Sequence, residues 1–563
     1  MSNAEITERL EEAIELMELL DVNSFKINAY RKLIQSIEAD SRQIQSLSSE
    51  EISASFSKGM SLVLQSLVEQ GTFAELSEME KEIPFGVRTM LRINGIGPKK
   101  IRTLWKDAGI ESLPKLKEAC IASQVSQLKG FGEKIQQGIL DGIAFLETVH
   151  GRLLMHKADK LADKLESDWE KSGISGGIRT GDFAMHSETF SGLDFLFPLE
   201  KRNQMKDWFG ENPSFKLIEE NSGPFHLRFW NETEEFNVCL HFAGKEDFEK
   251  TRFMLETEKG HWVKASQAGI PLYSEWKKTG NNADLYSNLG WPAVPAELRN
   301  GTFEWSPEFP EKVKNLINYK DLKGCLHNHS TWSDGKNSIR QMADWCINQG
   351  WDYFGIADHS QTARYANGLN EDRVFSQWAE IDALNTEFGQ NFRILKGIES
   401  DILGDGSLDY TDDILSQFDY VVASVHSIMK MDIRTATSRI IKAVENPFTS
   451  ILGHCSGRIL LKRSGYPLDY EKVIDACTAN HVAIELNAHP SRLDMDWQNL
   501  ARAIDKGAII AINPDAHEDA GMAYMQHGVW MARKAGAPKE LVLNAFNRQG
   551  LIQFLQLKNK SIA

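Results

Sequence analysis

Leu322-Lys323-Gly324-Cys325-Leu326-His327-Asn328-His329-Ser330 is a short apolar run that ends on two imidazoles, with Asp334 just beyond it. Five further runs are built the same way: FGIADHS (354–360), ILKGIES (394–400), YVVASVH (420–426), SILGHC (450–455) and AIIAINPDAH (508–517). Each brings a metal-type ligand to its end: His359, Glu399, His426, His454, and the pair Asp515 and His517. Helical segments such as 339–349 and 470–479 separate most of the runs. A strand followed by a helix, repeated, predicts a parallel β/α barrel, whose functional groups gather at the carboxyl ends of its strands.

A lone histidine at a strand end is more often a hydrogen-bonded core or surface residue than a ligand. Here, however, six of the chain's 15 histidines fall at such ends. The nine candidate ligands are His327, His329, Asp334, His359, Glu399, His426, His454, Asp515 and His517. They are too many for one ion and enough for two or three divalent cations. Imidazole and carboxylate without thiolate favour Zn²⁺, Mn²⁺ or Fe²⁺ over Mg²⁺ or Ca²⁺ alone.

At 563 residues the chain holds several domains. A formal charge of −16 argues against non-specific coating of nucleic acid, yet bound cations can supply a local positive field. The six cysteines form no C-x-x-C pair, so neither a disulfide framework nor a zinc ribbon is expected and a reduced cytoplasm fits. The opening MSNAEITERLEEAIELMELL is too acidic for a signal peptide, and no run is long and apolar enough to span a bilayer.

The first 150 or so residues read as helices. Ile6, Leu10, Ile14 and Met17 recur at helical spacing, as do Phe25, Ala29, Leu33 and Ile37. Two loops stand out, Gly95-Ile96-Gly97-Pro98-Lys99-Lys100 and Gly130-Phe131-Gly132-Glu133-Lys134, each between two apolar segments as in a helix-hairpin-helix. Their glycines permit tight turns and expose amides to a DNA phosphate, which makes Gly95, Gly97, Lys99, Lys100, Gly130, Gly132 and Lys134 candidate backbone contacts. Residues 1–148 carry 17 Lys+Arg against 22 Asp+Glu, so any grip is local. From about 150 to 305 the pattern is α+β, with strands expected at 193–197 and 236–242. The proline-bearing segment 281–306 reads as a tether.

The chain resembles the bacterial and archaeal family X DNA polymerases that carry a carboxyl-terminal PHP (polymerase and histidinol phosphatase) domain. The likeness runs nearly end to end. Its most specific stretches are DLKGCLHNHSTWSDGK (321–336), FGIADHSQTARYANGL (354–369), LKGIESDILGDGSLDY (395–410), ASVHS, ILGHCSGR, ELNAHPSRLDM and PDAH; upstream, INGIGPKKIRTLW, LKGFGEKI and LYSNLGWPAVPAELRNG also match. The resemblance implies a distorted seven-stranded (β/α)7 barrel with three metals, acting as a 3′-5′ exonuclease and phosphoesterase on DNA ends. The seventh strand is VAIELNAH (482–489), which supplies no evident ligand. By similarity, one metal takes His327, His329, Glu399 and Asp515. A second takes Asp334, His359 and His517, and a third His426 and His454 with Glu399 bridging. Asp515, His517 and Glu399 then carry the chemistry, and Arg364, Arg458 and Arg492, which follow barrel strands, are candidates for phosphate contact; surface ion pairing is their alternative role.

The implied domains are 1–80 (helical, with a degenerate first hairpin near SASFSKGM, 53–60), 81–149 (helix-hairpin-helix), 150–235 (palm-like), 236–305 (thumb-like), 306–319 (linker) and 320–563 (PHP). The palm departs from the family. Of the three aspartates that hold catalytic Mg²⁺ there, the first position is Gly192, the second Asp194, and the third Asn237. The nucleotide-binding run becomes Gly176-Gly177-Ile178-Arg179-Thr180, keeping one arginine, and Glu256 and Glu258 stand where triphosphate would bind. Losing two of three carboxylates removes ligands and charge that Mg²⁺ needs, so an inactive polymerase site is expected. The leading expectation is a metal-dependent exonuclease on 3′ ends or gapped duplex, built on a polymerase scaffold. The alternatives are a working gap-filling polymerase with its own exonuclease, a phosphatase of small phosphomonoesters, and a non-enzymatic docking module.

Overall fold

Strands covered on both faces need apolar side chains on both sides, and FGIA, YVVAS and AIIAIN supply them. In the computed structural model, which describes residues 1–563 apart from 2, 39–41, 264–270, 280–281 and 560–563, the chain divides into two compact units, Met1–His150 and Gly151–Ala563. Among the described residues no helix is long and apolar enough to cross a membrane, and all six cysteines are free thiols.

The first unit is helical, from Asn3–Leu19 and Ser24–Glu38 through to Glu133–Val149. Ile6, Leu10, Ile14 and Met17 are buried as expected. The second stripe is corrected: Phe25 is exposed, and the buried line runs through Ile27, Tyr30, Leu33, Ile34 and Ile37, because Phe25 sits in the first turn facing away from the packed side. Both Gly-x-Gly loops turn directly into helices. Gly95 (φ 92°) and Gly130 (φ 87°) are left-handed, a conformation glycine enters without steric cost. Gly97 and Gly132 immediately precede Pro98–Arg102 and Glu133–Val149, and Ile96 and Phe131 anchor the loops inward.

After the helix Met155–Lys171, the second unit carries a five-stranded sheet of β1 (Ile178–Arg179), β2 (Leu193–Pro198), β3 (Phe215–Leu217), β4 (His226–Asn231) and β5 (Phe236–Ala243). Its order is β1-β2-β5-β4-β3, with β2 and β5 parallel and other neighbours antiparallel. The division expected at 235/236 therefore moves: β5 pairs with both β2 and β4, so the palm-like sheet extends to Ala243. The 281–306 segment is not a loose tether over its described residues. Leu285, Tyr286, Val294 and Leu298 are buried with Phe253, Trp276 and Phe309, and Trp291 and Trp305 pack on them. That much apolar surface is more stable packed than in solvent.

The barrel follows. Strands β6 (Tyr353–Ile356), β7 (Arg393–Asp401), β8 (Tyr420–Ser424), β9 (Thr449–Leu452), β10 (Ala483–Asn487) and β11 (Ile510–Asn513) form one parallel sheet in chain order. The 322–330 run stands in for a seventh strand and bonds along both edges. On the β6 side, Gly355 N donates to Cys325 O and Ala357 N to Asn328 O, both at 2.8 Å. On the β11 side, His329 N donates to Ala516 O (2.8 Å) and Asp515 N to His327 O (3.1 Å). The sheet is closed by a segment that carries two candidate ligands. Crossover helices begin at side-chain caps, Ser338, Asn370, Asp432 and Asp496 among them, which satisfy otherwise unpaired amides. Inside, Leu326, Tyr353, Leu395, Tyr420 and Ile451 pack with Leu551, Phe554 and Leu555 of the last helix, Arg548–Asn559.

Tyr420 fits only because Gly355 and Gly397 leave room for its ring and hydroxyl. A methyl group at Gly397 would overlap the ring and crowd Ile356 O. Gly397→Ala should destabilise the barrel by about 1–3 kcal/mol through overpacking. Calorimetric unfolding is the check, and an unchanged midpoint would show that the ring can move aside.

Candidate metal centre

Parallel strands that end at one level aim their last side chains at one another, and here all nine candidate ligands converge. Glu399, at the end of β7, is the hub and is 1% exposed. Its Oε1 lies 3.2 Å from His327 Nε2, 3.2 Å from His426 Nε2 and 3.0 Å from His454 Nε2. Its Oε2 lies 2.9 Å from His359 Nδ1 and 3.7 Å from His329 Nε2. Asp515 Oδ1 is 3.1 Å from His329 Nε2 and 3.7 Å from His327 Nε2. Asp334 Oδ2 is 3.5 Å from His517 Nε2 and 3.6 Å from His359 Nε2.

Donor atoms fall into three sets, each mutually within 4.8 Å: His327, His329 and Asp515; His329, Asp334, His359 and His517; and His359, Glu399 and His426. These sets differ from the allocation implied by the resemblance: Glu399 is absent from the first and His454 from the third. His329 faces two sets, and His359 reaches the third, while His454 meets it through Glu399. Buried His327 Nε2, His329 Nδ1, His359 Nδ1 and Glu399 Oε2 have no hydrogen-bond partner. A buried polar atom left so costs stability, and divalent cations would satisfy these four. The donor set thus fits metal.

The charges are mutually adjusted. Burial would push His327 down, but Glu485, Glu399 and Asp515 outweigh it and hold the imidazole well above its ordinary value. Burial likewise opposes Glu399 and Asp515, yet the surrounding imidazoles keep both carboxylates well below their usual range. His329 is pushed down to about 3 by burial and by His517 and His359. His426 and His517 rise, against burial, to about 10 and about 9, through Glu399 and Asp401 for the first and Asp334 and Asp515 for the second.

Four residues without a role in the sequence reading hold this array. Glu485, on the strand expected to supply no ligand, accepts from His327 Nδ1 (2.7 Å), which leaves Nε2 facing Glu399. It also accepts from His454 N and Asn513 Nδ2, each at 3.1 Å. Asp401 fixes His426 through Nδ1 at 2.6 Å. Asn487 Nδ2 donates to Asp515 Oδ2 at 2.9 Å, and buried Asp358 clamps the 330–333 turn through Ser330 N and Oγ, each at 2.7 Å. A carboxylate inside the apolar run Val482-Ala483-Ile484-Glu485-Leu486 was the legible signal.

Of the three arginines, Arg492 stands at the centre, its Nε 3.7 Å from Asp515 Oδ2, and Arg364 is exposed in the turn after His359. Arg458 is corrected. It pairs with Glu188 (Nη2–Oε1 2.6 Å) and donates to the carbonyls of Arg492 (3.0 Å) and Leu493, so it joins barrel to palm-like part and is not offered to phosphate.

Residues 326–489 match the PHP domain model, and residues 87–144 match the SAM-like helix-hairpin-helix tandem. A DNA polymerase/3′-5′ exonuclease PolX of Bacillus subtilis is 34% identical over 99% of this chain and 100% of its own length. The chain belongs to the PolX family. A probable phosphatase of Thermoanaerobacter sp. is 32% identical over 28% of this chain and 65% of its own. A solved histidinol phosphate phosphatase of Lactococcus lactis, complexed with zinc, L-histidinol and phosphate, aligns over 38% of this chain and 94% of its own at 17% identity and a TM-score of 0.29.

The palm-like positions singled out in the sequence lie against one another or pair with neighbouring side chains. Parallel pairing of β2 with β5 sets Gly192 beside Asn237, where a Cβ on the glycine would stand 3.0 Å from that of Asn237. Asp194 Oδ1 is 2.8 Å from His241 Nε2. Arg179, expected as a remnant of nucleotide binding, is spent on Glu166 (Nε–Oε1 2.9 Å), Asp159 (3.4 Å) and Asp163.

Two outcomes test the centre. Glu485→Gln removes the charge that orients His327 and should weaken metal affinity roughly 10- to 100-fold, as outer-shell changes do, read by competition with a chromogenic chelator. Second, the raised values of His426 and His517 mean both are protonated near neutral pH in the metal-free protein. Ligands must lose those protons, so affinity should rise from pH 6 to 9 and binding should release protons. Calorimetric heats that do not vary with buffer ionisation enthalpy would contradict this.

Proposed function

We propose that the protein is a metal-dependent 3′-5′ exonuclease and phosphoesterase of DNA ends whose palm-like part serves as scaffold. The observation that carries the reading is the convergence of nine candidate donors at the barrel mouth, five of them imidazoles around buried Glu399, with four buried donor atoms outside any hydrogen bond. His327, His329 and Asp515 would hold one cation, Asp334, His359 and His517 a second, and Glu399 with His426 and His454 a third. Bound there, such ions supply Lewis acidity for hydrolysis of a phosphate ester. Glu485, Asp401 and Asn487 keep the ligands oriented, and Arg492 stands where a guanidinium can meet a phosphate oxygen. DNA is the favoured substrate because the helix-hairpin-helix tandem is present, with Lys99 and Lys134 exposed beside its two loops.

The scaffold reading of the palm rests on charge. Asp194 is the one carboxylate retained of the three positions, and His241 engages it; Arg179 is neutralised by three acids. Mg²⁺ bound by a single such carboxylate lacks the ligands phosphoryl transfer needs. The phosphatase relatives support a second reading, hydrolysis of a small phosphomonoester by the same centre, and turnover of histidinol phosphate tests it.

The decisive assay uses Mn²⁺ and a 5′-labelled primer on a longer template, with and without the four dNTPs. Shortening in both tubes is expected, and extension in the first would overturn the scaffold reading. His329→Ala or Asp515→Ala should reduce shortening roughly 100-fold or more, since each removes a ligand from the cations; activity retained in both would overturn the nuclease reading.

A further inference from the structure

Beside the metal centre stands an aromatic ring that the packing of the barrel does not use. Tyr365 is 73% exposed, and its ring centroid lies 6.1 Å from that of His359, at 57°. Its hydroxyl lies within electrostatic reach of Asp401, Glu399, Asp334 and Arg492, the groups that bound the centre on both sides. Other exposed large side chains of the second unit, such as Phe225 and Phe375, have no ring contact with a candidate ligand.

The loop that displays the ring is rigid. Leu369 N donates to His359 O at 2.8 Å, so residues 360–369 close back on the ligand itself. Ala363, Ala366 and Leu369 are buried, and Gly368 N and Ala366 N both donate to Ala363 O at 3.0 Å. Gly368 approaches Ser360 O so closely that a Cβ would overlap it. Arg373 locks the far side by donating to Asn367 O (2.7 Å) and Gly368 O (3.2 Å). A fixed loop that holds an aromatic face in solvent is preorganised to bind a flat apolar partner at little entropic cost.

We propose that Tyr365 is a positioning residue that stacks on the base of the 3′-terminal nucleotide while its phosphodiester lies at the metal centre. The inference rests on the nuclease reading and deepens it: a 3′-terminal base, paired or frayed, has one π-face that no neighbouring base covers, and Tyr365 would take that face. Stacking is tolerant of base identity, since every base has a π-face, which suits an exonuclease. Arg492, its Nε 3.7 Å from Asp515 Oδ2, would meet the phosphate, and exposed Arg364, next to Tyr365 in the same loop, would be available to the backbone.

The test compares two single-stranded oligonucleotides in Mn²⁺, identical except that one ends in an abasic tetrahydrofuran residue. Wild-type protein should prefer the base-bearing end roughly 5- to 100-fold in kcat/KM, mainly through KM, as base–aromatic stacking implies. Tyr365→Ala should erase that preference while leaving abasic cleavage and metal content unchanged. Tyr365→Phe, which keeps the ring, should behave as wild type. Equal loss on both substrates in Y365A, no base preference in wild type, or a Y365F defect matching Y365A would overturn the stacking role alone. Failure of the wild type to cleave either oligonucleotide would overturn the nuclease reading and this inference together.

Discussion

A carboxylate sealed in a protein interior is costly unless it is neutralised, and Glu399 is the residue around which that cost is managed. Five imidazoles from four other strands or strand ends approach its two oxygens. No local segment could assemble them. The barrel must close for His327 and His329 to meet Glu399, and it closes through the very run that bears them. Folding of the sheet and formation of the site are therefore one event, and the remaining polar shell, with Glu485 behind His327 and Asp401 behind His426, is what keeps the ring of ligands from relaxing toward water.

Much of this was legible before any coordinates. Buried parallel strands announce themselves as apolar runs, and metal-type side chains at strand ends announce themselves by type, so the barrel and the nine candidate ligands that meet at its mouth could be read from the sequence. The orienting residues were harder. Glu485 gives a visible signal only once a charge in the middle of an apolar strand is treated as a question, because its partner His327 lies 158 positions away. Arg458 shows the opposite error. A guanidinium after a barrel strand suggests phosphate, and only packing reveals Glu188 opposite it. The thumb-like boundary failed for a related reason, since a strand's sheet partners are not written in its own residues.

The two halves of the second unit differ in what their polar groups are for. In the barrel, buried imidazoles and carboxylates are held by partners on one side while His327 Nε2, His329 Nδ1, His359 Nδ1 and Glu399 Oε2 make no hydrogen bond, a donor set that fits cations. In the palm-like part, Asp194 pairs with His241 and Arg179 with Glu166, Asp159 and Asp163, while Asp182 accepts from Ser187 Oγ (2.7 Å) and Ser191 N (2.9 Å).

The helix Met525–Lys534 brings the two halves together. Trp530 stacks flat on His186 at 4.8 Å, Arg533 grips Glu297 at 2.8 Å, and Lys534, 3% exposed, donates to Met185 O at 2.9 Å. All three partners lie upstream of the barrel. Cut free of the preceding domains, the barrel would lose the carbonyl that Lys534 donates to and the ring stacked on Trp530, leaving both side chains open to solvent. Whatever chemistry the palm-like part retains, it also forms part of the barrel's outer wall.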